Sequence, residues 1–322
     1  MAVDVTILGA GVAGLCVATE LVARGARVRV IDPGGGPGKQ GCSWWAGGML
    51  APDCEGETAE AEVVRLGQEA AGWWQAAGVP VEQKGTLVLA LGRDRAELDR
   101  FARRTAGHEA LSAEGVGKLE PELAGRFGRG LHFAGEAHLD PRGALVTLCE
   151  RLAERGVTVE RNAEPEGRIV DCRGLAARDV LPGLRGVRGE MVVLRAPAVR
   201  LGRTVRLLHP RHPLYVVPRG DGVYMLGATQ IESDGRGPAS LRSTVELLNA
   251  GYALHPAFAE AEVLEIGADA RPAFADNLPR LVRRGDRLHV NGLFRHGFLL
   301  APALARMAAD HLLDMKTPEL ME

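Results

Sequence analysis

The feature that most constrains this chain is a glycine turn near its start, Gly9-Ala10-Gly11-Val12-Ala13-Gly14. It follows the β-rich run Val3–Leu8 and precedes Leu15–Arg24, where Leu15, Ala18, Leu21 and Val22 recur at helical spacing. Gly25 stops that helix, Arg27–Ile31 reads as a second strand, and Asp32 stands at its end. Strand, turn, helix, strand and acid in this order predict a dinucleotide-binding unit. Gly9 permits the tight turn, Gly11 lets the backbone approach a pyrophosphate, and Gly14 lets helix and strand pack closely. The helix N-terminus, with Val12 and Ala13 in its first turn, offers free N–H groups and positive dipole to phosphate. Asp32 can accept from a ribose hydroxyl and would repel a 2′-phosphate, which disfavours NADP; this unit alone does not separate FAD from NAD.

The rest of the composition narrows the class. With 322 residues, two domains are expected at roughly 150 residues each. The formal charge of −2 gives no basic footprint for nucleic acid. No apolar run reaches the roughly 20 residues that span a bilayer. The five cysteines form no C-x-x-C pair and no His cluster accompanies them, so no metal site is expected. An odd cysteine count and an N-terminus without a basic, then apolar, leader predict a cytoplasmic protein.

Beyond Asp32 lies a Gly- and Pro-rich loop, then Cys42 and Ser43, with Ser43 expected to cap a short helix. Helices are expected over 59–77, 94–105, 141–154, 239–253 and 297–313. Short strands are expected over 85–91, 157–160, 169–170, 191–194, 205–208, 215–217, 223–226, 263–266 and 288–290. Helices and strands alternate at both ends around an antiparallel-looking block. This predicts a mixed α/β chain in which a Rossmann-like nucleotide domain (1–78, 142–190 and 267–322) is interleaved with an antiparallel-sheet substrate domain (79–141 and 191–266).

A series of motifs runs in order after the glycine turn: Gly47-Gly48-Met49-Leu50-Ala51-Pro52, Ile169-Val170-Asp171-Cys172-Arg173-Gly174, Tyr215-Val216-Val217-Pro218-Arg219, Gly227-Ala228-Thr229, Ala270-Arg271-Pro272, and Phe294-Arg295-His296-Gly297-Phe298-Leu299-Leu300-Ala301-Pro302. Together they resemble the FAD-dependent D-amino-acid oxidase family, in particular its glycine oxidase branch of the thiamine-thiazole pathway. The resemblance spans nearly the whole chain. It implies FAD, held without a covalent bond, and oxidation of a small amino acid, glycine first, to an imine or 2-oxo acid with O2 reduced to peroxide. It also implies a link to the thiazole synthase machinery, and it leaves self-assembly open. Gly9, Gly11, Val12, Ala13, Gly14 and Asp32 match the ADP-binding part, and Cys42 and Ser43 positions near the pyrophosphate. Gly48, Met49 and Leu50 match positions near the flavin ring, Cys172 and Gly174 the second cofactor-lining segment, and Gly297, Phe298, Leu299 and Leu300 the turn and helix start beside it. Arg295 matches the residue that grips the substrate carboxylate, with Arg271 as a second candidate and Met49 beside the substrate. Trp44 and Trp45 stand where relatives carry small or hydroxyl residues, and His296 replaces a common Asn.

The residues themselves suit this chemistry. The chain shows no catalytic triad and no carboxylate pair, and none is needed where a flavin takes the hydride and the protein orients the substrate. A carboxylate in an apolar cavity needs a cation, and arginine binds it through a two-pronged fork. His296 is expected to be a hydrogen-bonded neighbour rather than a base, and Tyr215 a sheet residue. Trp44 and Trp45 shape a pocket or pack a core. Two other readings remain: a dehydrogenase for a D-amino acid, sarcosine or an imino acid, passing electrons to a quinone or partner protein, and a flavin-bound subunit without catalysis of its own.

Overall fold

The first strand, Asp4–Leu8, buries Val5, Thr6 and Ile7 in a row and sits at the middle of a six-stranded sheet. The computed structural model describes residues 4–209 and 213–322, so the expected start of this strand at Val3 lies outside the described residues. Its parallel neighbours are Arg27–Ile31 and Arg168–Asp171, in register Val5↔Val28 and Val5↔Arg168. Val159–Glu160 closes one edge, and the antiparallel hairpin Arg280–Arg284/Arg287–Asn291 the other. The connecting helix Val12–Ala23 buries Leu15, Cys16, Val17, Ala18 and Leu21, and packs against the C-terminal helix Gly297–Asp314. The expected C-terminal helix and the Pro141–Glu154 helix, capped by Asp140, are both present.

The second sheet has nine strands. Its backbone is a long antiparallel pair, Arg185–Arg195 with Glu262–Ala273, kinked by an irregularity between Val193 and Leu194. The sheet is antiparallel except where Thr204–Leu208 runs parallel to Thr86–Ala90. Both members of the long pair run across points where the sequence suggests domain boundaries, 190/191 and 266/267. The hairpin expected over 218–222 is present, with Gly220, Asp221 and Gly222 all at positive φ.

Two local expectations are corrected. The single helix expected over 59–77 is two short ones, Ala61–Gly67 and Ala70–Ala76. The first ends at Gly67, where a Cβ would stand 2.9 Å from the Leu299 side chain; close packing there overrides the helical pattern. The short element Cys42–Trp45 is a 3-10 turn capped by Gly41 rather than Ser43. The strands Glu109–Ser112, Arg129–Phe133 and Arg280–Arg284 were not visible as strands in the sequence. No helix among the described residues is long and apolar enough to cross a membrane.

Candidate active site

One cavity of about 1240 Å³ runs from the glycine turn to the start of the C-terminal helix. At the turn end, Gly9 has φ +101°, and a Cβ on Gly14 would lie 1.9 Å from the Gly9 carbonyl oxygen. Only hydrogen fits at position 14, because the helix crosses the strand in contact. Ser43 caps this helix from a distance: its Oγ accepts from the Val12 N–H at 3.1 Å. Asp32, which lines the cavity, accepts from the Ala10 N–H at 2.8 Å and the Gly34 N–H at 2.7 Å, one on each oxygen, and keeps further acceptor capacity. Gly9, Gly11, Val12, Ala13, Asp32, Cys42, Ser43, Gly48, Met49, Cys172, Gly174, Gly297, Phe298 and Leu299 all line the cavity. Gly14, Leu50 and Leu300 do not; the two leucines belong to the apolar core behind the wall. Burial pushes the Cys42 thiol up to about 11 and holds the Cys172 thiol well above its ordinary value.

The first helix and the C-terminal helix bring their N-termini together here; a Cβ on Gly297 would touch Val12 at 3.3 Å. Two positive helix ends therefore face one space. Trp44 and Trp45 line the cavity and also sandwich Arg142, whose guanidinium carbon lies 4.9 and 5.3 Å from the two ring centres. Gly267 makes room for Trp45, since a Cβ there would lie 2.0 Å from its ring.

The far end is cationic. Arg295 is not free: its Nη2 donates to Glu55 Oε2 at 2.7 Å and to Thr58 Oγ1 at 2.7 Å. The same Glu55 oxygen meets His296 Nε2 at 2.9 Å, and its other oxygen lies 3.3 Å from Arg206 Nη1. Burial would raise the Glu55 carboxyl, but Arg295, His296 and Arg206 outweigh it and hold it well below the usual carboxylate range. His296 is 4% exposed and spends its Nε2 on this carboxylate, so it is a partner of Glu55, as a neighbour residue should be.

Arg271 differs. Its guanidinium lies deep in the protein yet open to the cavity, and its one hydrogen bond among the described residues runs from Nη1 to the Thr229 carbonyl at 3.4 Å. Among the described residues no carboxylate pairs with it, and burial pulls it down from its ordinary value. Gly189, on the partner strand, creates its seat: a Cβ there would stand 1.9 Å from Arg271 Nη2. Tyr215 is a sheet residue, on Leu214–Pro218, and its ring also lines the cavity, framed by Gly47 and Gly227. Burial pushes its phenol up, opposed by Arg271 and Arg295.

Sequence reasoning missed Glu55, Thr58 and Arg206. Arg206 had a signal: it interrupts the apolar strand Thr204–Leu208, where an unmatched charge needs a reason. Glu55 follows the Gly48-Met49-Leu50 motif by five residues and carries no signature of its own.

A parallel sheet with a glycine turn at a helix N-terminus, opening onto a cationic pocket, defines a dinucleotide-binding fold with a small-anion site beside it. The chain belongs to the FAD dependent oxidoreductase family, whose profile matches residues 4–311. It is 55% identical over 317 residues to a Rhizobium etli protein whose name, ThiO, ascribes to it an oxidoreductase role in thiamine biosynthesis; 96% of each chain is covered. It is 27% identical to the glycine oxidase of Bacillus licheniformis, over 96% of this chain and 93% of that one. Among solved structures, the fold matches glycine oxidase from Geobacillus kaustophilus with a TM-score of 0.83 at 22% identity, covering 98% and 96% of the two chains. Iminodiacetate oxidase from Chelativorans matches at 0.81 and 23% identity, covering 98% and 96%.

FAD is therefore the cofactor, and the residues fit it. Glycines 9 and 14 lack side chains where a Cβ would strike backbone at 2.7 and 1.9 Å, Asp32 keeps acceptor capacity at the strand end, and the volume exceeds the roughly 300–1,000 Å³ of a single-ligand pocket.

Proposed function

We propose that this protein oxidises glycine, with FAD and O2, to the imine that hydrolyses to glyoxylate and ammonia, releasing peroxide, and that it serves thiamine thiazole formation. The relative at 55% identity and the glycine oxidases support this reading. The single observation that carries it is Arg271, a guanidinium open to the cavity with no carboxylate partner among the described residues. Such a cation is poised for a small anion.

Bound FAD supplies the two-electron acceptor. The chain supplies position and charge. The backbone from Gly9 to Gly14, Ser43, Asp32, Cys42, Gly48, Cys172 and Gly174 would hold the nucleotide half. The paired helix starts, with Gly297, Phe298 and Leu299, would supply positive potential at the ring end. Arg271 takes the substrate carboxylate and Arg295 assists from across the pocket. Met49 and Tyr215 limit the space to a small side chain. The high thiol of Cys42 supports non-covalent FAD, because a protonated thiol is a poor nucleophile.

Residues 1–78, 142–190 and 267–322 form the FAD domain in this reading, and 79–141 and 191–266 the substrate domain; the two sheets support it, with Arg185–Arg195 and Glu262–Ala273 as the bridge. Five free cysteines support a reducing, cytoplasmic setting. A thiazole synthase would be the consumer of the imine.

The test is anaerobic titration of the yellow protein with glycine, sarcosine and D-alanine, followed by peroxide release in air. Bleaching with glycine is expected. Failure of every small amino acid to bleach the flavin rejects the reading.

A further inference from the structure

The cationic end of the cavity already contains an anion of its own. Arg206, Arg271 and Arg295 bring three positive charges, and Glu55 returns one negative charge, which leaves a surplus of two. Glu55 sits where a second substrate carboxylate would go, within 2.9 Å of both Arg295 Nη2 and His296 Nε2. It cannot swing aside cheaply. It is 6% exposed, and its own carbonyl accepts from Thr58 N–H at 3.1 Å and Ala59 N–H at 2.9 Å. One residue earlier, Cys54 N–H is bound to the buried Glu136 at 2.7 Å. The backbone is thus pinned on both sides of the carboxylate.

We propose that Glu55 is a resident counter-ion that sets specificity: it makes the pocket accept a ligand with one carboxylate and reject one with two. The inference rests on reading this cavity as the amino-acid site. A single carboxylate reaches Arg271, a guanidinium deep in the cavity with no acid against it among the described residues. A second carboxylate, reaching across the pocket, meets Arg295 and Arg206 already matched, and meets the buried Glu55 as a like charge. Like charges a few ångströms apart in such surroundings repel strongly. Glu55 acts here through Arg295 and through its own field, so it is a positioning and selecting residue rather than a reacting one.

The experiment uses the FAD-loaded protein and two unreactive probes, acetate and malonate. Binding is read from the visible flavin spectrum and from calorimetry. The wild type should bind acetate more tightly than malonate by about tenfold or more, a gap of the size that one buried charge pair sets. In Glu55→Gln the ratio should move toward malonate by at least about tenfold, with acetate affinity changing by less than about threefold. Wild-type protein that binds malonate as well as acetate overturns the proposal without any variant. A folded, yellow Glu55→Gln with an unchanged ratio also overturns it. Should that variant not fold, the wild-type ratio decides. The two readings fail differently. If glycine neither bleaches the flavin nor competes with acetate, the amino-acid reading falls and takes this one with it. If glycine bleaches the flavin but malonate is not disfavoured, only the counter-ion reading falls.

Discussion

Replacing Arg271 with Met tests the substrate anchor in a way that separates binding from folding. The guanidinium makes one long contact, 3.4 Å to the Thr229 carbonyl, and has no carboxylate partner among the described residues. Keeping such a charge out of water without a partner costs stability. An apolar residue of similar length removes that cost. Arg271→Met should therefore keep or raise Tm. Binding should move the other way. A hydrogen bond to a charged group is worth about 1.5–3 kcal/mol, so losing one weakens a carboxylate ligand by roughly 10- to 100-fold. The assays are thermal denaturation, acetate titration of the flavin spectrum, and KM for glycine. Gly189→Ala gives an independent route, because its Cβ would occupy the position of Arg271 Nη2 and push the fork away without touching its charge. It should weaken acetate in the same direction. A fall in Tm together with unaltered acetate affinity in Arg271→Met would refute the argument and make this arginine a structural residue.

The other expected outcomes are shorter. Arg295→Ala should stay yellow and raise KM for glycine by about tenfold or more, since one charged contact is lost. It should also lose stability at neutral pH, because Glu55 loses a partner that depresses its pKa. That depressed carboxyl stabilises the fold fully above its unfolded value of about 4.3 and less as pH falls below it, so the Tm gap between variant and wild type should narrow in acid. Glu136 shows the opposite sign: burial pushes its carboxyl up to about 7, so its contribution is intact at low pH and is lost as pH rises through 7. Glu136→Gln should flatten that decline, which runs from the unfolded value of about 4.3 up to about 7, and Tm measured across pH checks it. Gly14→Ala places a Cβ 1.9 Å from the Gly9 carbonyl oxygen and should give protein that purifies colourless or not at all. Cys42→Ser should bind FAD as before, and acid precipitation should release the flavin from both proteins into the supernatant.

What the sequence made legible was local. The glycine turn reads directly, because Gly9 and Gly14 are needed where backbone meets backbone, and the Asp140-Pro141 start needs only its own cap. The break at Gly67 was hidden, because it depends on Leu299, more than 200 residues away. The same reason hid half the site. Arg295 and Arg271 both sit in recognisable motifs, so both could be named as carboxylate ligands from sequence. Their difference could not, since it lies in the counter-ions: Glu55, from a short helix early in the chain, reaches Arg295, while nothing acidic reaches Arg271 among the described residues. Motif reading ranks the arginine with the stronger signature first. Electrostatics ranks them the other way, since a guanidinium already matched by a carboxylate has less to gain from a second one. The two arginines then divide one task. In the proposed reading Arg295 is locked with Glu55 and Thr58, and Arg271, seated in the room that Gly189 leaves and held by the Thr229 carbonyl, takes the substrate carboxylate.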